Sequence, residues 1–194
     1  MKRLVILAAM AAMTVSVWAQ GGGVRKVIEL GGVKPEAAKA MQPDTVMPNG
    51  EWQRVVQSEM TAKEGFKYMR QVLAKVMPDF QQNVQLEDTT DCKLVVTAAV
   101  PLMASAKMGS YTSLLEGLYD MTLTLMMKDN RYRISCEPVK CVLVGSTPGQ
   151  ATMTMADVIR HTNGLLQNDL KFKAGKLIAL IDAMLKKQKA DEEW

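Results

Sequence analysis

Alternation of apolar and polar side chains over residues 118–128 constrains the fold more than any other feature of this sequence. The apolar members would share one face of an extended strand; they are Tyr119, Met121, Leu123, Leu125 and Met127. A period of two is typical of a strand with one buried and one solvated face. Asp129 and Asn130 then predict a two-residue turn, because both tolerate the left-handed conformation that such a turn needs. The chain returns as a strand over 131–144, with Tyr132, Ile134 and Cys136 facing inward.

The segment before this hairpin begins with a strand and a helix. Residues 51–58 alternate loosely and predict the first strand. Thr61 and Glu64 have the spacing of a capping box at the start of a helix over 61–77, which Pro78 ends. The apolar stripe of this helix consists of Phe66, Met69, Leu73, Val76 and Met77.

Two strands and a connection follow the helix. Residues 84–87 and 92–100 predict a hairpin with a four-residue turn at 88–91. Residues 103–116 are mostly small and polar, so we expect a long connection there. Pro138 lacks the N–H that a strand ladder needs, which places it at a sheet edge or a bulge.

The C-terminal third is predicted to be helical. Thr154 would cap a short helix that ends near Asn163 and Gly164. A long helix follows over 165–189, with apolar residues at spacings near 3.5. Gly175 lies in its interior, where a break would be tolerated. We expect the helix to cover the sheet; alternatively, its end over 178–189 reaches a partner or a second copy of the chain and forms a dimer.

The three cysteines are Cys92, Cys136 and Cys141. Each lies in a strand-like segment on the face expected to turn inward, so we expect buried free thiols. One disulfide is the alternative, between Cys136 and Cys141, if residues 137–140 form a turn rather than strand. A single C-x4-C without a histidine is weak support for a metal site.

The first fifty residues are set apart from the rest. Lys2 and Arg3 followed by an apolar run to Val15 indicate a signal peptide over 1–19, cleaved after Ala19. Gln20 follows, so no lipoprotein anchor is expected, and no later run is long and apolar enough to cross a membrane. We therefore expect a periplasmic or secreted protein. Residues 20–50 are rich in glycine and proline and predict a flexible leader, with a short strand at 24–30 as an option.

The strand 119–125 and the returning segment 128–134 resemble the closing hairpin of domain-of-unknown-function family 4468, a family of exported bacterial proteins. The resemblance covers about residues 51–145. It implies a fold like that of the TATA-box-binding protein: an α+β domain in the order strand, helix, four strands, helix, with a curved antiparallel sheet and helices on one face. Residues 146–194 would form a helical segment packed on this domain or extending from it. The family offers no catalytic residues to carry over.

Composition and spacing argue against several function classes. Without Lys2 and Arg3 the formal net charge falls from +4 to +2, too near neutral to favour nucleic acid as a partner. The single histidine, His161, has no nucleophile or carboxylate at a telling spacing, so we expect no enzyme. Sixteen methionines raise the option of Cu(I), but their spread along the chain favours core packing, and no cofactor is expected.

The polar face of the predicted sheet is the candidate binding surface. Its side chains, which should point away from the helices, are Lys93, Thr97, Thr122, Thr124, Arg131 and Arg133. Arginine and threonine on an open sheet suit a carboxylate, a sulfated or phosphorylated glycan, or an extended peptide, whereas a merely solvated face is the simpler interpretation. We expect a binding or structural module of the cell envelope acting by surface recognition on an envelope protein, glycan or small ligand. The alternative is a carrier of a small apolar or lipid-like ligand between sheet and helices.

Overall fold

The structure is a computed structural model that describes residues 17–20, 23–43, 45–46, 51–108, 111–144, 150–154 and 165–192, and side chains within 27–43, 51–102, 117–142 and 166–191. Two strands form a small sheet of their own: β1 (Val17–Gln20) and β2 (Gly23–Lys26). The seven strands of the main sheet are β3 (Thr45–Val46), β4 (Trp52–Gln57), β5 (Val84–Asp88), β6 (Lys93–Met108), β7 (Tyr111–Lys128), β8 (Arg131–Val144) and β9 (Gln150–Thr154).

The main sheet is antiparallel, with strand order β3-β4-β8-β7-β6-β5. Two strands share the outer side of β8: β4 pairs with its first half, and β9 pairs with its last residues. The four described helices are α1 (Pro35–Ala40), α2 (Ala62–Val76), α3 (Phe80–Asn83) and α4 (Leu165–Glu192). The expected order of strand, helix, four strands and long C-terminal helix is present as β4, α2, β5 to β8 and α4. The α+β class is therefore confirmed.

The core lies between one face of this sheet and the helices α2 and α4. Alternate residues of β6, β7 and β8 are buried there, including the five apolar residues of the alternating stretch 118–128. The stripe of α2 packs against them, with Met69 and Leu73 essentially inaccessible to water. Alternation on the strands and helical spacing on α2 thus meet at one interface, as binary patterning requires.

The start of α2 is fixed by two groups, one expected and one not. Thr61 and Glu64 form the expected capping box. In addition, the Asp129 carboxylate, from the turn between β7 and β8, accepts a hydrogen bond from the Ala62 N–H at 2.8 Å. A carboxylate at a helix N-terminus satisfies a free N–H and complements the helix dipole. The hairpin turn and the helix are therefore linked through Asp129.

The helix α4 runs without interruption for 28 residues, about 42 Å at 1.5 Å per residue. The break considered at Gly175 is wrong: this glycine lies against the Ala38 carbonyl oxygen, where a Cβ atom would clash. Gly175 thus permits close approach of α1. The apolar residues of the end proposed for a dimer are already buried inside the chain; they include Ile178, Ile181 and Leu185.

Residues 103–116 are not a long connection. The β6–β7 ladder continues through Met103 opposite Glu116 to Met108 opposite Tyr111. The prediction failed because small and polar side chains give this segment no clear alternation, whereas the ladder that begins at Lys93 opposite Met126 continues into it without a shift of register. Residues 109–110 lie outside the described residues.

Pro138 was predicted to lie at a sheet edge or at a bulge, and it lies at a bulge. Asp120 is opposite Lys140 and Met121 is opposite Pro138, so Val139 is the additional residue. The missing N–H therefore falls where the ladder is already interrupted. Because β8 continues through 137–140, the turn that would have brought Cys136 and Cys141 together is absent, and the alternative of a disulfide between them is not what the structure has. All three cysteines are free and buried, with Cys92 in the β5–β6 turn at a φ of 49° rather than in a strand.

Residues 150–154 form strand β9 on β8, so the segment from 146 onward is not wholly helical, and Thr154 is the last residue of that strand. The short helix proposed up to Asn163 and Gly164 lies outside the described residues, as does His161.

The flexible-leader prediction is wrong for residues 27–43. Val27, Ile28 and Leu30 are buried, and the Ile28 N–H donates to the Ala99 carbonyl of β6 at 2.9 Å. The helix α1 packs on α4 through Ala38. The apolar residues of this segment stand among glycines and prolines and show no helical or strand periodicity. Their place in the core follows from the sheet surface against which they pack, and the local sequence does not reveal that surface. The cleavage position expected after Ala19 falls within β1.

Candidate ligand-binding face

The register of the sheet places all six predicted polar residues on the face opposite the helices. Thr97 is opposite Thr122, and Lys93 is opposite Met126. Across the next pair of strands, Arg133 is opposite Met126 and Arg131 is opposite Lys128. The helix-facing neighbours of these residues are buried, including Leu94, Leu123 and Tyr132. We call this surface the open face.

Two of the six residues line a depression of about 180 Å³ at one end of the open face. Arg131 and Arg133 line it together with Lys128, Val55 and Met126. Val55 of β4 is opposite Arg133 and is 50% exposed, one of three large apolar side chains so exposed among the described residues. The depression therefore combines three cations with exposed apolar surface.

The positive charge of this depression has no acidic counterpart. None of its lining residues is acidic, and within the described part of the chain no ion pair involves Lys128, Arg131 or Arg133. Arg133 instead reaches the Met126 sulfur at 3.7 Å. Lys128 and Arg131 stand directly opposite across the hairpin, an arrangement that is destabilising for like charges. The nearest acidic residue in sequence, Asp129, is engaged at the start of α2.

The other four predicted residues lie outside this depression. Lys93 is beside its margin, opposite Met126, while Thr122 and Thr124 lie further along β7. Thr97 lines a different cavity, of about 300 Å³, near the turn between α2 and α3. That cavity includes Asp79 and Asp120, and Asp120 is paired with Lys140 at 3.4 Å. The predicted residues are therefore not gathered at a single cavity.

Ser135 is next to Arg133 on the open face but is only 1% exposed. Its hydroxyl is buried and finds no hydrogen-bond partner in the described structure. An unsatisfied buried hydroxyl costs free energy, so this position is a locally unfavourable one.

The opposite face of the sheet holds two tyrosine–aspartate hydrogen bonds to α4, one partly buried and one buried. The Tyr119 hydroxyl donates to the Asp169 carboxylate at 3.1 Å, and the Tyr132 hydroxyl donates to Asp182 at 2.6 Å. Burial, together with these carboxylates, raises the pKa of both tyrosines. Burial also raises the pKa of Asp169, an effect partly opposed by Lys173. These pairs hold the helix on the sheet and leave the hydroxyls fully engaged.

Two of the thiols, those of Cys136 and Cys141, are also unreactive. Burial raises the pKa of Cys136 and of Cys141 to about 12, so both stay protonated near neutral pH. Among the described residues no group of three or more His, Cys, Asp or Glu side chains could hold a metal ion. Met121 and Met127 are buried in the core, while Met126 lines the depression.

A further cavity of about 440 Å³ lies between the β4–α2 connection and the end of α4. Tyr132 and Leu185 line it but are almost inaccessible to water. Its charged residues pair with one another, Lys186 with Asp182 and Lys189 with Glu59. Any apolar molecule would therefore have to displace these side chains to reach the apolar wall.

Lys128 and Val55 line the depression but were not among the residues predicted from the sequence. The signal for Lys128 was available, because a two-residue turn at 129–130 places residues 128 and 131 opposite each other. Val55 could not have been found in this way, since the pairing of β4 with β8 joins segments more than seventy residues apart.

Comparison with known proteins supplies names but no residue roles. No family model matches this chain, and no curated protein matches it. Among solved structures, it is similar to a DUF4468 family protein from Bacteroides ovatus, with 12% identity over 74% of this chain and 85% of that chain, at a TM-score of 0.42. It is also similar to a TBP-like protein from Parabacteroides distasonis, with 13% identity over 76% and 92% of the two chains, at a TM-score of 0.44. The two descriptions name the family and the fold that the hairpin resembles. No helix in the described part of the chain is long and apolar enough to cross a membrane.

Proposed function

We propose that this protein is an exported, non-enzymatic binding module of the cell envelope that recognises an anionic group at the depression on its open face. One observation carries the proposal: Lys128, Arg131 and Arg133 surround the depression, and no acidic residue among the described ones lines it or pairs with them. Guanidinium groups bind carboxylates and phosphates through paired, charge-assisted hydrogen bonds. An anionic ligand would also relieve the repulsion between Lys128 and Arg131.

Export is supported by residues 1–19, in which two basic residues precede an apolar run. A non-enzymatic role is supported by the low reactivity of the buried tyrosine hydroxyls and thiols. Tyr119, Tyr132, Cys136 and Cys141 are buried and have raised pKa values, which disfavour their reactive anions. Surface recognition needs none of these groups. It requires only side chains that are positioned by the sheet and free to meet a partner.

The experiment is a titration of the isotopically labelled protein with sodium acetate, and separately with inorganic phosphate, at low ionic strength, monitored by backbone amide shifts. We expect saturable shifts concentrated at residues 126–133 and none with glucose. The double variant Arg131→Glu/Arg133→Glu should lose these shifts.

The matched control is Lys34→Glu/Lys187→Glu, which changes the net charge equally at two exposed positions, at the start of α1 and on α4, both on the helix side of the sheet. This control should retain the shifts. If both double variants lose binding equally, the response reflects net charge, and the proposal of a localised site is wrong.

The carrier remains a second candidate because of the 440 Å³ cavity beside Tyr132 and Leu185. Its volume lies within the range of small-molecule sites. A neutral fluorescent probe, N-phenyl-1-naphthylamine, should bind with one-to-one stoichiometry if this candidate is correct. Filling the cavity by Ser58→Trp should then abolish the signal, whereas the arginine variant should not affect it.

A further inference from the structure

We infer that the anionic group belongs to an extended polypeptide segment that carries carboxylates on alternate residues and lies along β8 over the open face. This inference rests on the proposed function and names the class of partner. The partner is thus an acidic peptide segment of another protein, read by Arg131 and Arg133 together with the apolar side chains beside them.

The spacing of the two arginines is the first argument. Arg131 and Arg133 are alternate residues of one strand, so their backbone positions are about 6.8 Å apart at 3.4 Å per residue. An extended peptide places its own alternate side chains on one side at the same repeat. Two carboxylates at positions i and i+2 of such a peptide would therefore have the same spacing as the two guanidinium groups, and each could pair with one of them.

The neighbours of each arginine make the two positions different. Arg131 is opposite Lys128 on β7, so a carboxylate there would meet two cations. Arg133 lies between Met126 on β7 and the exposed Val55 on β4. The methylene groups of a glutamate would contact those two apolar side chains while its carboxylate reaches Arg133. A peptide supplies this combination of aliphatic stem and terminal charge.

The pairing of β8 determines how such a segment binds. At Arg131 and Arg133, β8 is hydrogen-bonded to β4 on one side and to β7 on the other. No free strand edge is available there, so the segment cannot join the sheet as an additional strand. Affinity comes from side chains alone and should be modest and sensitive to salt.

The test uses three labelled, end-capped peptides of identical composition, rich in threonine and serine and carrying two glutamates at i and i+1, i and i+2, or i and i+3. Binding is measured by fluorescence anisotropy at low ionic strength. We expect the i, i+2 peptide to bind about fivefold more tightly than the others, the factor that one additional exposed ion pair contributes at the upper end of its range. The Arg131→Glu/Arg133→Glu variant should lose this preference, and the Lys34→Glu/Lys187→Glu control should keep it.

Equal affinity for the three peptides would overturn the inference. So would tighter binding of a sulfated oligosaccharide of equal charge, since that result identifies an acidic glycan as the partner. In either case acetate and phosphate would still shift the backbone amide resonances of residues 126–133, and the proposed function would stand. Absence of those shifts as well would refute both.

Discussion

Some residues of this protein lower its folding stability in ways that the fold does not require. Ser135 has a buried hydroxyl without a hydrogen-bond partner in the described structure. Lys128 and Arg131 face each other as like charges. Both features lie on the open face, where a binding function gives a reason for unfavourable chemistry.

Replacing Ser135 by alanine removes an unsatisfied polar group without creating a large void. We expect the free energy of unfolding to stay unchanged or rise by up to about 1 kcal/mol. Tyr132→Phe is the contrasting variant, because it breaks the buried bond to Asp182 and should cost about 1–3 kcal/mol. Urea denaturation of both variants checks this; a Ser135→Ala loss as large as that of Tyr132→Phe would indicate a partner for the hydroxyl.

Two buried glycines should respond differently to alanine. A Cβ on Gly175 would meet the rigid carbonyl of Ala38, whereas a Cβ on Gly65 would meet only the flexible end of Met127. We expect Gly175→Ala to lower the melting temperature, with a cost of about 1–3 kcal/mol despite the better helix propensity of alanine. Gly65→Ala should change stability by less than about 1 kcal/mol. The reverse order in thermal unfolding would contradict the packing of α1 on α4.

At the scale of elements, α4 is held on the sheet by two tyrosine–aspartate pairs, and one of them makes stability depend on pH. Burial raises the pKa of Asp169 above its unfolded value, so the folded state holds the proton more tightly. This group's contribution to stability is therefore present at low pH and lost as pH rises through its folded pKa. The facing groups are Tyr119 and Cys141 on the sheet and Lys173 and Lys176 on the helix.

Asp169→Asn tests this dependence because the amide oxygen still accepts from the Tyr119 hydroxyl. Relative to the unmodified protein, the variant should become more stable as pH increases from 4 to 7.5. Urea denaturation at the two pH values gives the comparison. A difference that is the same at both values would show that Asp169 has equal proton affinity in the folded and unfolded chains.

The β7–β8 hairpin should gain stability when its binding residue is reversed. Arg131→Glu turns the like-charge pair with Lys128 into an opposite-charge pair, which should stabilise the protein by about 0.2–1 kcal/mol at low salt. The same change should weaken anion binding. The gain should shrink in high salt, and a loss of stability at low salt would contradict the account of this pair.

Much of this element structure follows from the sequence. The turn at 129–130, the capping box of α2 and the inward residues of β7 and β8 were predicted because each signal is local. The pairing of residues 103–116, the strand β9 and the packing of 27–30 were missed, since each depends on a distant segment. The candidate site divides likewise: Arg131 and Arg133 follow from alternation, but Val55 joins them only through the β4–β8 pairing.

At the scale of the whole molecule, the N-terminal segment belongs to the folded unit. A chain beginning at Glu51 lacks Val27, Ile28, Leu30 and Ala38, which together cover part of the core. We expect it to be several kcal/mol less stable than a chain beginning at Gln20, because each fully buried aliphatic side chain contributes about 1.5–3 kcal/mol. Calorimetry of the two chains measures the difference.

Ile28→Ala in the chain beginning at Gln20 gives the same test without a truncation. It should cost about 2–5 kcal/mol, as for a buried aliphatic residue in a core. Val33→Ala is a suitable control because Val33 is not fully buried. If both substitutions cost equally little, residues 27–43 do not stabilise the fold.

By itself, the sequence determined the fold class, the order of its central elements and the face of the sheet on which Arg131 and Arg133 lie, because side-chain periodicity and capping act between residues close in the chain. Only the tertiary structure decided that the N-terminal segment is part of the core, that Gly175 admits a neighbouring helix, and that Val55 and Lys128 complete a cationic depression. These contacts join segments far apart in sequence, and a distant partner leaves no periodic signal in either segment.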